Sequence, residues 1–245
     1  MKNRILRAVA GVAIAAAALT ATAASAGEHH GHAKGTAVGP VNVTGTVRIA
    51  DDYVYRGFSK NGGDLAVSGT LKATHDSGAF GGVTVNSIDF GITNASTEAV
   101  AFGGYNTMIG DLSVRGGASY WMYPDASDRL DLDYAELNAG LGYNFGPGGV
   151  TFDAFWSPDY FGGTGDSWYF EAGAKIGLGL PGLCAHGWGG FQTVDDLPTD
   201  IWNYGLGLNY DAGFASFGVD WTVTDAENVD DDNDGRFTFS VSRSF

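Results

Sequence analysis

The sequence predicts an all-β protein: a transmembrane, antiparallel, up-and-down β-barrel of about 12 strands behind an N-terminal signal peptide. Three observations predict it. The chain opens with an export signal. Polar and apolar residues then alternate with period two over segments of about ten residues. The connections between those segments are alternately short and long.

The export signal is "MKNRILRAVAGVAIAAAALTATAASAGEHH". Lys2, Arg4 and Arg7 precede an apolar run from Ala8 to Leu19, which closes on the small-x-small site Ala24-Ser25-Ala26. The apolar core is too short to span a bilayer. The expected division is a signal peptide at 1–26, a His-containing leader at 27–40 and a barrel at 41–245. Cleavage removes three of the 13 basic residues and none of the 28 acidic ones, leaving a net charge of −18. Such a chain repels nucleic acid and favours cations. The single Cys184 rules out an internal disulfide.

The strands are expected at 41–56, 64–74, 79–91, 98–109, 112–123, 133–145, 149–157, 167–178, 183–192, 201–211, 214–224 and 236–245. "DYAELNAGLGYNF" sets Ala135, Leu137, Ala139, Leu141, Tyr143 and Phe145 opposite Glu136, Asn138, Gly140, Gly142 and Asn144. "SWYFEAGAKIG" sets Trp168, Phe170, Ala172, Ala174 and Ile176 opposite Tyr169, Glu171 and Lys175. "WNYGLGLNYDA" sets Trp202, Tyr204, Leu206, Leu208 and Tyr210 opposite Asn203, Gly205, Gly207 and Asn209. In strands three and four the phase is blurred by Ile88, Phe90, Val100 and Phe102.

These faces separate a barrel from a soluble sandwich. Aromatic residues end the apolar faces, as at a lipid headgroup level. The opposite faces carry Gly, Asn, Ser and Thr, which suit a wet lumen. The connections agree: "HDSG", "GD", "GPG", "LPG" and "DA" alternate with longer ones such as "SKNGG", "SPDYFGGTGDS" and "DAENVDDDNDG". Short periplasmic turns and long outer loops are the bacterial barrel pattern.

The last strand, "GRFTFSVSRSF", puts Phe237, Phe239, Val241 and Phe245 on one face. A closed barrel pairs its last strand with its first, so this strand reads as lipid-facing and as a membrane-assembly signal. The partners this implies are outer-membrane lipids and the barrel assembly machinery.

Further residues resemble a known family. In "IADDYVYRGFSKNGGDLAVSGTL", Asp52, Tyr53, Val54, Arg56, Gly57 and Ser59 match the opening strand and first loop of TorF-type porins of Gram-negative bacteria, with Lys60 where that family has Gln. "SYWMYPDA" resembles the family's Tyr-x-Tyr-Pro element, "DYAELNAGLGY" its next strand and "FWSPDYFG" its Ser-x-Asp-Tyr-Phe-Gly element. The resemblance implies an outer-membrane porin and carries over no substrate residues.

The expected inward charges are Arg48, Arg56, Lys72, Arg115 and Lys175 against Glu136, Asp153, Glu171, Asp220. They either pair and fill a narrow interior or form a constriction selecting small hydrophilic solutes. The outer loops are acidic: Asp125, Asp128 and Asp131; Asp195, Asp196 and Asp200; Asp230, Asp231, Asp232 and Asp234. A single-signed mouth favours cations. "DDDNDG" matches half of a calcium loop, but Val241 stands where a bidentate Glu is required. Cleavage after Ala26 would expose Gly27-Glu28-His29, a set of nitrogens suited to square-planar Cu(II) or Ni(II).

No cofactor is implied, and catalysis is not expected. Past the leader only His75 and His186 remain, neither near the outer rim nor beside an obvious partner. The reading is an outer-membrane channel for small hydrophilic solutes or ions, mildly cation-preferring. The alternative is a non-conducting structural or binding barrel with a plugged lumen.

Overall fold

A computed structural model describes residues 35–90, 94–127, 130–226 and 235–245. The signal peptide and most of the leader, including Gly27, Glu28 and His29, lie outside the described residues, as do Asp128, Asp230, Asp231, Asp232 and Asp234. The strands are β1 (Thr36–Val38), β2 (Val41–Ala50), β3 (Val54–Tyr55), β4 (Phe58–Ser59), β5 (Ala66–His75), β6 (Ala79–Ser87), β7 (Thr97–Ile109), β8 (Leu112–Met122), β9 (Tyr134–Phe145), β10 (Gly148–Ser157), β11 (Ser167–Gly177), β12 (Leu183–Val194), β13 (Ile201–Asp211), β14 (Ser216–Thr224) and β15 (Arg236–Ser244).

Twelve of these, β2 and β5 to β15, form a closed antiparallel barrel in chain order. Closure is made by β2, which pairs with β5 along its whole length and with β15 over Thr46 to Ala50. The Gly45 N–H donates to the Phe245 carbonyl at 2.8 Å, and the Phe245 N–H donates back to Gly45 at 3.0 Å. The last aromatic residue is therefore sewn into the sheet, where no edge is left to fray. Within the expected leader, β1 pairs with the start of β2.

Period-two sequence becomes an inside-out cross-section. Leu137, Leu141 and Tyr143 of β9, Trp202, Tyr204 and Leu206 of β13, and Phe237 and Phe239 of β15 are exposed on the outer face. Thr84, Asn86, Glu98, Glu136, Asp153, Gln192 and Asn203 are buried on the inner one. A soluble sandwich buries the opposite face. An apolar outer face with a polar inner one is the arrangement of a membrane β-barrel.

The blurred strands resolve by the same rule. Val83 and Val85 point out; Thr84, Asn86, Glu98 and Val100 point in. The third strand ends at Ser87 rather than at 91, and Ile88 joins a packed core. The first strand also ends early, at Ala50 instead of 56. Beyond it the chain turns inward.

Candidate plug and lumen

The connection between β2 and β5, residues 51–65, folds into the loop end of the barrel. Val54 pairs with Ser59 and Tyr55 with Phe58, leaving Arg56-Gly57 as a two-residue turn. Both turn residues have positive φ, 47° and 92°, as a type I′ hairpin requires. The position of Gly57 also forbids a side chain: a Cβ there would lie 2.8 Å from Thr224 Cβ and 2.9 Å from Asn203 Cβ. The tip thus rests on the inner wall at β13 and β14. At its other end the hairpin is held at β7, so it crosses the interior.

Ionic contacts fix that crossing. The Lys60 ammonium, 0% exposed, donates to Glu98, which also accepts from Tyr53 Oη at 3.0 Å, Asn86 Nδ2 at 2.8 Å and Tyr123 Oη at 2.9 Å. Rings of Tyr55 and Trp121 lie 4.8 and 5.0 Å from Nζ, close enough for cation–π attraction. Burial pulls the Lys60 ammonium down to about 8, against the opposing pull of Glu98. Arg56 Nη2 donates to Glu136 at 2.9 Å, and its guanidinium lies 4.0 Å from the centre of the Tyr169 ring. At the base, Asp52 accepts from Ser59 Oγ at 2.6 Å and from Arg236 Nη1 at 3.0 Å.

Two further loops close over the hairpin. Phe161, in the connection after β10, meets Tyr123 edge-on at 5.1 Å and Phe90 at 5.7 Å. Tyr160 meets Tyr134 at 4.9 Å, and Tyr134 stacks on Trp121 at 5.6 Å. The hydrophobic core of this protein therefore sits inside the barrel at its loop end.

The remaining expected lumen residues lie on inner strand faces, Arg48 two residues from the loop end of β2 and Lys72 and Lys175 toward the short turns. Arg115 pairs with Asp153 across β9, which is possible because Gly140 stands between them and a Cβ there would collide with both side chains. Glu171 accepts from Tyr169 Oη at 2.9 Å. Lys72 lies 5.0 Å from the Phe80 ring. Arg48, Lys72 and Lys175 are half-buried on the inner faces of β2, β5 and β11. Asp220 pairs with His186 at 2.7 Å, so this histidine has a partner two strands away.

Arg56 faces inward as expected, but from a loop and not from a strand. Lys60 and Glu98 escaped sequence reasoning. Glu98 alternates with Val100 and Phe102, so its face looked apolar; Lys60 stood out only as a departure from the TorF-type pattern. Among the mouth residues, Asp125, Asp131, Asp195, Asp196 and Asp200 are exposed on loops. No group of three or more potential metal ligands occurs among the described residues.

A closed 12-stranded antiparallel barrel with a loop folded into its interior defines a porin-like fold. The KdgM porin superimposes with a TM-score of 0.56 at 8% identity, covering 82% of this chain and 98% of that one. The NanC porin gives 0.57 at 10% identity, covering 82% and 98%. At such identities the likeness is one of fold. By sequence, residues 34–245 match the model of Gcw_chp, described as a bacterial protein of unknown function, and the chain belongs to that family. No curated protein matches it.

Proposed function

We propose that this protein is an outer-membrane channel for passive diffusion of small hydrophilic solutes or ions, with the 51–65 hairpin as its constriction. The observation that carries the reading is the pair of buried ionic contacts, Lys60–Glu98 and Arg56–Glu136. A permanent filler is more stable when apolar, since burying charges costs several kcal/mol per ion before pairing repays it. Charged contacts suit a plug that water can reclaim. The apolar outer face would contact outer-membrane lipid, and Phe237, Phe239, Val241 and Phe245 would address the chain to the assembly machinery.

The exposed aspartates of the loops support a mild cation preference, and the resemblance to TorF-type porins supports the porin role. Single-channel current of the refolded mature protein in a planar bilayer under a KCl gradient tests the proposal. Discrete steps with a cation-selective reversal potential are expected. Steps with anion selectivity would shift control to Arg48, Lys72 and Arg115. The aromatic seal of Tyr123, Tyr160 and Phe161 favours the second reading, a non-conducting binding or structural barrel. Absence of steps from a folded barrel would decide for it.

A further inference from the structure

Below the plug, toward the short turns, two rings lean over glycines of the inner wall. Trp188 and His186 are alternate residues of β12, and each is opposite a glycine of β13: Trp188 pairs with Gly205 and His186 with Gly207. A Cβ on Gly205 would collide with Trp188 ring atoms, and one on Gly207 would lie 2.6 Å from His186 Nε2. Both rings therefore lean sideways over the neighbouring strand instead of standing into the lumen. Their planes differ by 12° and their centres are 6.0 Å apart. That separation is close to the rise of two strand residues, roughly 6.7 Å, so the two near-parallel rings follow each other along β13.

The pair is anchored and open. His186 Nε2 is 2.7 Å from Asp220 Oδ1, a contact that bridges β13 above Gly207. The two side chains remain 29% and 22% exposed, and Trp188 is likewise half-buried. One row further toward the plug, Tyr169 lies over Gly190 in the same manner, and there a flat group already occupies the inner ring face: the Arg56 guanidinium, 4.0 Å away. The band of rings on this wall thus has a filled upper rung and open lower ones.

We propose that the Trp188–His186 platform binds a pyranose ring of a soluble saccharide, with Asp220 and His186 hydrogen-bonding hydroxyls at its edge. A sugar presents an apolar C–H face for the indole and equatorial hydroxyls for the polar rim, the mix of apolar floor and few polar groups that small-molecule sites use. A cationic ring suits the place less well. Lys175 stands opposite His186 on β11, Lys72 lies at the same short-turn end of β5, and Asp220 is already engaged. The site rests on the channel reading only in taking this half of the interior as wet, and its test involves no current.

The test is calorimetric titration of the refolded barrel in detergent with maltotriose, cellobiose, glucuronate and, as a cationic control, methylguanidinium. Saturable binding of a sugar in the millimolar range is expected, weakened about tenfold by Trp188→Ala and preserved by Trp188→Phe. Should Trp188→Ala fail to fold, Gly205→Ala serves instead, because its methyl takes the space of the indole. An independent reading uses Cys184, the inner-face residue before His186, whose maleimide labelling the sugar should slow. Lack of saturable sugar binding, binding indifferent to both variants, or preference for methylguanidinium would overturn the proposal.

Discussion

If Lys60–Glu98 latches the hairpin, removing either partner must unseat it, and by unequal amounts. Lys60→Met leaves Glu98 buried, yet three neutral donors remain: Tyr53, Asn86 and Tyr123, at 2.8–3.0 Å. Breaking a buried pair costs roughly 3–5 kcal/mol when the survivor is stranded, and these donors place Lys60→Met at or below the low end, about 2–3 kcal/mol. Glu98→Gln strands the ammonium. Its remaining neighbours are aromatic rings and a Tyr123 hydroxyl at 3.4 Å, so the upper end, about 4–5 kcal/mol, applies. At about 1.4 kcal/mol per decade, the seated-to-unseated ratio falls roughly 50-fold in the first variant and a thousandfold or more in the second. The double variant Lys60→Met with Glu98→Gln buries no charge at this site and should return toward wild type. The assay is open probability in planar bilayers across this double-mutant cycle. Equal openings in the two single variants, or a double variant as open as their sum, would refute the latch.

Two further outcomes follow from the same geometry. The seated loop holds Lys60 at about 8, whereas the unseated side chain keeps its ordinary 10.5. Between those values the unseated loop carries the extra proton, so raising pH through this window favours seating, with a neutral Lys60 amine that still donates to Glu98 as Met cannot, and lowers conductance; a conductance–pH curve measures it, and Lys60→Met should flatten it. Gly57→Val places a side chain against Thr224 and Asn203 at a φ of 92°, which should keep the hairpin out of the barrel. Conductance rises while circular dichroism retains the sheet; an unchanged current would mean that the tip does not set the constriction.

Alternation and connection length determined the barrel by themselves. Period two is a local property, and a closed barrel with polar groups inside leaves only one phase for strands such as 134–145 or 201–211. The pairing of Phe245 with Gly45 follows once the sheet must close. The inward charges Glu136, Asp153 and Asp220 were legible for the same reason. What only the tertiary structure decided is where the 51–65 loop goes and what it touches. Its partners Glu98, Glu136 and Asn203 are distant in the chain and come from different walls. A polar loop has the same composition whether it stands in water or folds into a lumen. Lys60 looked like an ordinary solvated lysine because its environment, four aromatic rings and a carboxylate, exists only after twelve strands have brought those walls together.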